Sequence, residues 1–326
     1  MVNTAGGSLA DALRAAYLDP FERDCGVKVE MYDTAQRTYA QLQQFAASDS
    51  APYDLGVTFY PEEFAKGVND GLFLELPAGF WDEKEADLIP GSFDQYGVWA
   101  YVVARYMITN NEAFPDGLDS WADFFDIEKN PGSRAIQDQA RGSIVFALLA
   151  DGLTPEEIYP MTWEKVDQAF EKLDQIKPAV RTLLTTSDQP IQGTISGDFA
   201  AAPATTARAT LALKDDAPIT ISWSAGGDLL TYSFYILKNA QNSNAAQALL
   251  YYMQDKDRQA ALATAFGYSS SMSGVSELVP SPQREEIESI AEQYMASAED
   301  QAWWSDNSVE LQARWDAWKA AGGFAS

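Results

Sequence analysis

A short polar turn in the middle of the chain carries side chains that could hold a small charged ligand. Residues 136–143 (IQDQARGS) connect an apolar strand end to the apolar run IVFALLADG. In α/β proteins, ligands bind where a strand ends and a helix begins. Arg141 offers a planar guanidinium that could grip a carboxylate or phosphonate, and Gln139 and Gly142 lie close to it in the chain. A structural ion pair between Arg141 and Asp138 explains the same residues equally well.

Two other loops are candidates for contact with the ligand. The stretch AGGS at residues 5–8 contains Gly7 and Ser8, and its glycines could bring backbone N–H groups close to a ligand at a helix start. A tight turn that needs glycine explains AGGS equally well. Thr58, Tyr60 and Glu62 lie in the loop TFYPEE, which follows a predicted buried strand. For Glu62, a place in the first turn of the next helix is the preferred explanation.

The residue types of common catalytic sites are missing. The chain has no histidine, which excludes serine–histidine and cysteine–histidine catalysis. Its one cysteine, Cys25, fits no zinc pattern and is predicted to be buried. No phosphate-binding GxxxxGK[ST] loop is present. A carboxylate-dependent hydrolase remains an alternative, but we expect a binding protein that needs no cofactor and no metal.

Composition limits the possible partners. The chain has 48 acidic and 22 basic residues and a net charge of −26, which argues against nucleic-acid binding because that needs a basic surface. Its 326 residues are enough for two domains of ordinary size. No stretch approaches the about 20 apolar residues of a membrane span. The N-terminal MVNTAGGS lacks the basic and apolar regions of a secretory signal, so this chain is expected to carry no signal peptide.

The order of predicted elements indicates an α/β fold with a mainly parallel sheet. Strands are predicted in VNTA, VKVEMY and YDLGVTF, and they alternate with helices in SLADALRAAYLDPFERDC, QRTYAQLQQFAAS and PEEFAKGVNDG. A second unit is expected to begin near Tyr106, with strands in SRAIQD and PITISW and helices in GSIVFALLADG and TWEKVDQAFEKLDQI. The alanine-rich stretch GDFAAAPATTARATLALK is predicted to be helical, and Trp315 and Trp318 are predicted to pack in a core.

Four segments, in this order, resemble the spermidine/putrescine-binding family of ABC-importer solute-binding proteins. They are AYLDPFERDCGVKVEMYD, YDLGVTFYPEEFAKGVNDGLFLELP, SWADFFDIEKNPGSRAIQDQARG and APITISWSAGGDLLTYSFYILKNAQNSNAAQALLYYM, and together they cover nearly the whole chain. The resemblance implies a two-lobe periplasmic-binding-protein fold (type 2-like) with the ligand in the interlobe cleft. Lobe 1 would comprise residues 1–105 and about 235–282, and lobe 2 residues 106–234 and about 283–326.

The same resemblance implies a location and partners. A member of this family works in the periplasm or on a lipid tether outside the cell. It carries a small-molecule solute to the membrane permease of an ABC transporter. We also expect this chain to be a monomer.

The amine pocket of that family does not carry over residue by residue. Its acidic positions are matched by Gln139, Gly142 and Tyr232, and the position of a tryptophan is matched by Thr205. A buried ammonium group needs a compensating negative charge, so a long polyamine would be poorly paired here. The expected solute is therefore a small polar organic compound that is amino-acid-like, opine-like or otherwise nitrogenous.

Two alternatives for the ligand remain open. Acids elsewhere, such as Glu62 or Asp228, could rebuild an amine site. Tyr251 and Tyr252 are similar to tyrosines of ferric-binding relatives, although a core position is preferred for them. Trp304 and Asn307 resemble the late pocket-lining segment of the family. The candidate ligand-binding residues are Gly7, Ser8, Thr58, Tyr60, Glu62, Gln139, Arg141, Gly142, Thr205, Tyr232, Trp304 and Asn307.

Overall fold

The chain forms two compact units. The computed structural model describes residues 1–4, 6–34, 37–59, 62–268, 270–281, 283–285, 287–288 and 301–325. Unit 1 contains Met1–Val102 and Leu230–Glu288, and unit 2 contains Val103–Leu229 and Ser289–Ser326. Among the described residues, no helix has both the length and the apolar character that a membrane crossing requires.

The strands of the described residues are short except for two. In chain order they are β1 (Val2–Thr4), β2 (Met31–Asp33), β3 (Leu55–Val57), β4 (Gly97–Asn110), β5 (Arg134–Gln137), β6 (Val180–Leu184), β7 (Ala201–Thr205), β8 (Ile219–Ile221) and β9 (Asp228–Ile236). The two long strands, β4 and β9, contribute residues to both units. The chain therefore passes between the units along extended backbone.

Helices follow most of these strands. In chain order they are α1 (Gly7–Leu13), α2 (Asp19–Cys25), α3 (Tyr39–Ala47), α4 (Glu63–Asn69), α5 (Trp121–Phe125), α6 (Ala140–Ala150), α7 (Pro155–Ile158), α8 (Trp163–Ile176), α9 (Gln189–Ser196), α10 (Thr206–Lys214), α11 (Ser243–Met253), α12 (Lys256–Phe266), α13 (Gln301–Asp306) and α14 (Ser308–Ala320). Shorter turns are a π-helical turn at Arg14–Leu18 and 3-10 turns at Lys177–Ala179, Trp223–Ala225 and Val275–Leu278.

Unit 1 is built around a mixed sheet. β1 pairs with β2 and with β3 in parallel, and β3 pairs with β9 in antiparallel fashion, with Leu55 opposite Ile236. Aromatic side chains fill one face of this sheet, where Phe73 stacks on Tyr235 with ring centroids 4.2 Å apart. Gly56 is required beneath this ring, because a Cβ there would lie 2.6 Å from Tyr235. The close approach fixes β3 against β9.

The sheet of unit 2 is also mixed. β5 is parallel to β6 and to β7, whereas β4 is antiparallel to β7 and to β8. The apolar run that follows β5 forms α6, most of whose side chains are buried. Trp121 of α5 stacks on Phe146 of α6 at 4.1 Å, and Trp315 and Trp318 of α14 are buried in the same core. The prediction that these two tryptophans pack in a core is confirmed.

Helix α8 shows why the periodic segments fold as the sequence predicts. Thr162 caps the helix, because its side chain accepts a hydrogen bond from the backbone N–H of Lys165. Val166, Ala169 and Leu173 are spaced three and four residues apart and are buried on one face. The cap and the stripe of α8 both lie within a few consecutive residues, which is why its position could be predicted closely.

The mixed α/β fold class is confirmed, but several predicted details are wrong. The sheets are mixed rather than mainly parallel, because β9 and β4 run against their neighbours. The predicted helix over residues 197–214 begins instead with strand β7, where burial and pairing with β4 override the helical preference of alanine. Strand β2 begins only at Met31. Cys25 is exposed at the end of α2 rather than buried.

Candidate functional site

The turn between β5 and α6 lies at the edge of unit 2 where two parallel strands end. β5 and β7 run in the same direction, so their carboxyl ends meet at one edge of the sheet. Gln139 is the N-cap residue of α6, and Thr205 is the last residue of β7. The strand order therefore places these two predicted site residues at the same edge.

Arg105 connects the two strand ends. It lies in β4, opposite Thr205 in the antiparallel pairing of β4 with β7, and is only 4% exposed. Its Nη1 donates a hydrogen bond to Oε1 of Gln139 over 2.9 Å. Within the described part of the chain, Arg105 Nε has no hydrogen-bond partner. The sheet thus supplies a buried cation directly beneath the turn.

Asp228, the first residue of β9, is the acid of this site. It is 1% exposed, and Arg105 Nη2 donates a hydrogen bond to its Oδ2. Arg141 Nε lies 3.7 Å from the other carboxylate oxygen, and Arg141 Nη2 donates to the carbonyl of Leu229 over 3.2 Å. Two guanidinium groups therefore approach one buried carboxylate.

Trp304 of α13 packs against Arg141. The indole is 3% exposed, and the guanidinium carbon of Arg141 lies 5.3 Å from its ring centroid, a cation–π distance. Counting only the residues that the structure describes, Trp304 Nε1 has no hydrogen-bond partner. We refer to Arg105, Gln139, Arg141, Asp228 and Trp304 as the guanidinium cluster.

The guanidinium cluster presents cationic and amide groups to solvent and keeps its acid inside. The side chain of Arg141 is 13% exposed and Gln139 is exposed, whereas Asp228 is buried. A guanidinium with fixed geometry is well suited to a carboxylate, which it can bind through two parallel hydrogen bonds. The N-terminus of α6 adds a favourable dipole for an anion. Chemically, this arrangement is suited to binding a carboxylate.

Two other residues of this region have structural contacts. Asp138 accepts hydrogen bonds from Trp315 Nε1 over 2.9 Å and from Lys319 Nζ over 2.7 Å, which ties the turn to α14. Burial tends to raise the pKa of Asp138, but the hydrogen bonds from Lys319 and Trp315 lower it below its ordinary value. Asn307 donates from Nδ2 to the carbonyl of Trp303 over 2.8 Å. A ligand role for Asn307 stays a prediction.

The candidates in unit 1 lie near the carboxyl ends of β1 and β3. Gly7 begins α1 with a φ of +65°, so glycine is needed there for the turn itself; the side chain of Ser8 lies outside the described residues. Thr58 accepts a hydrogen bond from the N–H of Ser233 over 3.0 Å, which fixes β3 to β9. Glu62 is at the N-cap of α4 and makes no side-chain capping bond. Tyr60 lies outside the described residues.

Tyr232 is part of an aromatic stack in unit 1. The ring of Tyr101, in β4, lies 5.2 Å from that of Tyr232 and 4.9 Å from that of Tyr268, and the rings of Tyr101 and Tyr268 are nearly parallel. Burial raises the pKa of Tyr101 well above its ordinary value, so its hydroxyl stays protonated at neutral pH. The predicted role of Tyr232 in binding a ligand stays a prediction.

Unit 1 also contains a buried ion pair that the sequence did not reveal. Arg37 Nη2 donates to Oε2 of Glu63 over 2.7 Å, and both side chains are almost fully buried. The same oxygen accepts from the N–H of Phe59 over 2.8 Å, and the guanidinium of Arg37 lies 4.5 Å from the centre of the Phe59 ring. This pair holds the end of β3 to the loop before α3.

Arg105 and Asp228 are the functional candidates that sequence reasoning missed or underweighted. Each carries a charge at a position where its neighbours are uncharged: Arg105 within the run GVWAYVVARYMITN, and Asp228 just before LLTYSFYIL. A lone charge in a buried strand needs a partner, which is the signal that could have found them. Their pairing spans 123 residues of chain, so no local pattern predicts it.

The tyrosine pair that suggested iron binding is held by separate acids. Tyr251 donates to Oε2 of Glu83 over 3.0 Å, and Tyr252 donates to Oδ2 of Asp24 over 2.5 Å. Both tyrosines are half-buried in α11 rather than fully in the core. Among the described residues, no group of three or more cysteine, aspartate or glutamate side chains could hold a metal ion.

Comparison with known proteins gives consistent similarities over most of the chain. Residues 16–289 match the family model described as bacterial extracellular solute-binding protein. A gamma-aminobutyric acid-binding protein of Pseudomonas aeruginosa is 30% identical over 320 residues, which cover 97% of this chain and 89% of that protein. A spermidine/putrescine-binding periplasmic protein of Haemophilus influenzae is 26% identical over 268 residues, or 78% of this chain and 71% of that one.

A solved structure has a closely similar fold. An ABC transporter substrate-binding protein from Bradyrhizobium japonicum superimposes with a TM-score of 0.84 at 26% sequence identity, covering 97% of this chain and 98% of that chain. The resemblance inferred from the sequence is confirmed at the level of solute-binding proteins. Binders of an amino acid and of polyamines both occur among the relatives, so the family alone does not select the solute.

Proposed function

The chain belongs to the family of bacterial extracellular solute-binding proteins, and from this premise we propose that it captures a small amino acid through its carboxylate. The preferred solute is gamma-aminobutyric acid (GABA), a short zwitterion. We further propose that the protein works in the periplasm or on a lipid tether and delivers the solute to the permease of an ABC transporter.

The observation that carries this proposal is the engagement of Asp228 by two cations. Arg105 and Arg141 both approach its carboxylate, and Asp228 itself is buried. The three side chains comprise two positive charges and one negative charge. A second carboxylate, brought by the solute, would meet the guanidinium of Arg141, whose side chain is 13% exposed.

The same geometry disfavours a diamine as the solute. A diamine has no carboxylate to pair with the guanidinium groups, and Asp228, the acid of this site, already accepts a hydrogen bond from Arg105. The turn itself offers the amide of Gln139 and the guanidinium of Arg141, and the positive charge of Arg141 would repel putrescine or spermidine. The site therefore supports an amino acid over a polyamine.

The similarity to a GABA-binding protein supports the choice among amino acids. It extends over nearly the whole of both chains, so it includes β4, the β5–α6 turn and β9. Opines also carry carboxylates and would meet the same guanidinium groups. GABA and an opine are therefore compared in one experiment.

A thermal-shift panel tests the proposal. GABA, butyrate, putrescine, spermidine and an opine are each added to the purified protein. A solute at about 100 times its Kd stabilises the folded protein by about 2.7 kcal/mol, which gives a clear rise in melting temperature. We expect a rise with GABA at micromolar concentration and none with the two polyamines. A rise with putrescine or spermidine and none with GABA would refute the proposal.

The panel also addresses the hydrolase alternative. After incubation with the protein, the stabilising solute is recovered and analysed by mass spectrometry. We expect the solute to be recovered unchanged, as for a binding protein. Conversion of the solute to another compound would support the carboxylate-dependent hydrolase instead.

A further inference from the structure

Gly142 occupies a position at which a glycine is not required by the backbone. It is the third residue of α6 and is helical, with no positive φ. Glycine in a helix costs about 1 kcal/mol of stability relative to alanine, so helix formation alone would favour another residue here. What distinguishes the position is the space beside it.

That space is filled by the guanidinium cluster. A Cβ at position 142 would lie 2.8 Å from Nη2 and 3.1 Å from Cζ of Arg105, and 3.3 Å from Oδ2 of Asp228. Real Cβ atoms essentially never lie as close to a neighbour as the first distance, and the other two are tighter than most real Cβ contacts. With any side chain at position 142, the end of Arg105 would have to shift from the position in which it contacts Asp228 here.

The group that would have to move is the far end of a flexible side chain. Gly227 provides the contrast, because a Cβ there would lie 2.5 Å from the backbone oxygen of Arg105 and 2.8 Å from the Tyr106 ring. A substitution at Gly227 would strain the backbone, whereas one at Gly142 would displace a guanidinium. The first would reduce folding stability and the second would change the site.

We infer that Gly142 is a specificity-determining residue. Because it has no side chain, Arg105 can lie against Asp228. The site then binds the carboxylate of a solute, and its own acid, Asp228, is not available to ammonium groups. The inference rests on the proposed function and deepens it. With an alanine at position 142, Arg105 moves away from Asp228. The carboxylate is then partly available to an ammonium group, and the preference for a carboxylate falls.

The test is the Gly142→Ala variant, studied by calorimetry with GABA and with putrescine. We expect its Kd for GABA to rise at least about tenfold, while its Kd for putrescine stays the same or falls. The melting temperature without solute should fall less than that of Gly227→Ala, because the gain in helix propensity offsets part of the displacement. Gly227→Ala serves as the comparison, and its melting temperature should fall.

A double-mutant cycle shows whether Gly142 acts through Arg105. In an Arg105→Met background the guanidinium next to position 142 is absent and cannot be displaced. Adding Gly142→Ala should therefore change the Kd for GABA by less than about twofold. Arg181→Met, at an exposed arginine of β6, controls for the loss of a positive charge and should bind GABA as the wild type does. An equal loss of affinity from Gly142→Ala in both backgrounds overturns the inference.

The remaining outcomes separate the inference from the proposed function. Wild-type protein that binds neither GABA nor another carboxylate-bearing amine refutes the proposed function, and the inference fails with it. If the wild type binds GABA and Gly142→Ala binds it equally well, only the inference fails. If Gly142→Ala does not fold, the Arg105→Met/Gly142→Ala double variant decides. A double variant that folds supports a clash confined to the guanidinium of Arg105. A double variant that also fails to fold overturns the inference.

Discussion

Asp228 illustrates how neighbouring charges decide what a buried carboxylate can bind. Alone at the start of β9, it would be a candidate for an ammonium group. With Arg105 donating to one oxygen and Arg141 near the other, it instead fixes two guanidinium groups in place. It thus holds in place the two cations that contact the solute in the proposed function.

A prediction at the residue scale follows for Asp228→Asn. Removing one partner of a buried ion pair leaves an uncompensated charge and costs about 3–5 kcal/mol of unfolding free energy. We expect urea unfolding of the variant without solute to show a loss in this range. The double variant Arg105→Met/Asp228→Asn should recover part of it, because the buried charge that was left unpaired is removed as well.

The matched control is Asp188→Asn. Asp188 pairs with Arg208, but both side chains are substantially exposed, so the loss should stay below about 1 kcal/mol. A loss for Asp228→Asn as small as that of Asp188→Asn would show that the pair of Arg105 and Asp228 is not an internal one in solution.

The turn between β5 and α6 is held by a helix far along the chain. Asp138 accepts hydrogen bonds from Lys319 and Trp315 of α14, and these lower its pKa against the effect of burial. A carboxyl whose pKa is lower in the folded state stabilises the protein above its unfolded pKa of about 3.9 and loses this contribution as the pH falls. Acid should therefore loosen α14 from the turn.

A prediction at the element scale uses Lys319→Met. The hydrogen bond from Lys319, which lowers the pKa of Asp138 more than the bond from Trp315 does, is then missing. The variant should therefore lose less stability than the wild type between about pH 5 and pH 2. Urea unfolding at several pH values in this range measures the difference. Lys214→Met, at an exposed lysine of α10, should follow the wild type. Identical pH dependence in Lys319→Met and the wild type would contradict the assigned cause.

The elements differ in how far the sequence could predict them. Helix α8 and the turn before α6 follow from local patterns, since a cap, an apolar stripe and a polar cluster are all contained in a few consecutive residues. Strand β7 was missed because its alanines favour a helix until β4 and β5 pair with it. The sheet register then decides that Arg105 lies opposite Thr205, which no local pattern contains.

At the scale of the whole molecule, the acidic composition and the cationic site act over different distances. The net charge of −26 attracts cations from a distance, but at physiological ionic strength such attraction is screened within about 8 Å. Direct hydrogen bonds between a guanidinium and a carboxylate act at contact and are much less screened. The local cluster, rather than the overall charge, should therefore decide which solute binds.

The most direct measurement is calorimetric titration of the wild type and of Arg141→Met with GABA and with its neutral amide analogue, 4-aminobutanamide. The wild type should bind GABA and prefer it strongly over the amide. Loss of a charge-assisted hydrogen bond is worth about 1.5–3 kcal/mol, so Arg141→Met should bind GABA about 10 to 100 times more weakly and prefer it less. Equal affinity of the wild type for GABA and the amide, or unchanged GABA binding in Arg141→Met, would contradict recognition of the carboxylate by this site.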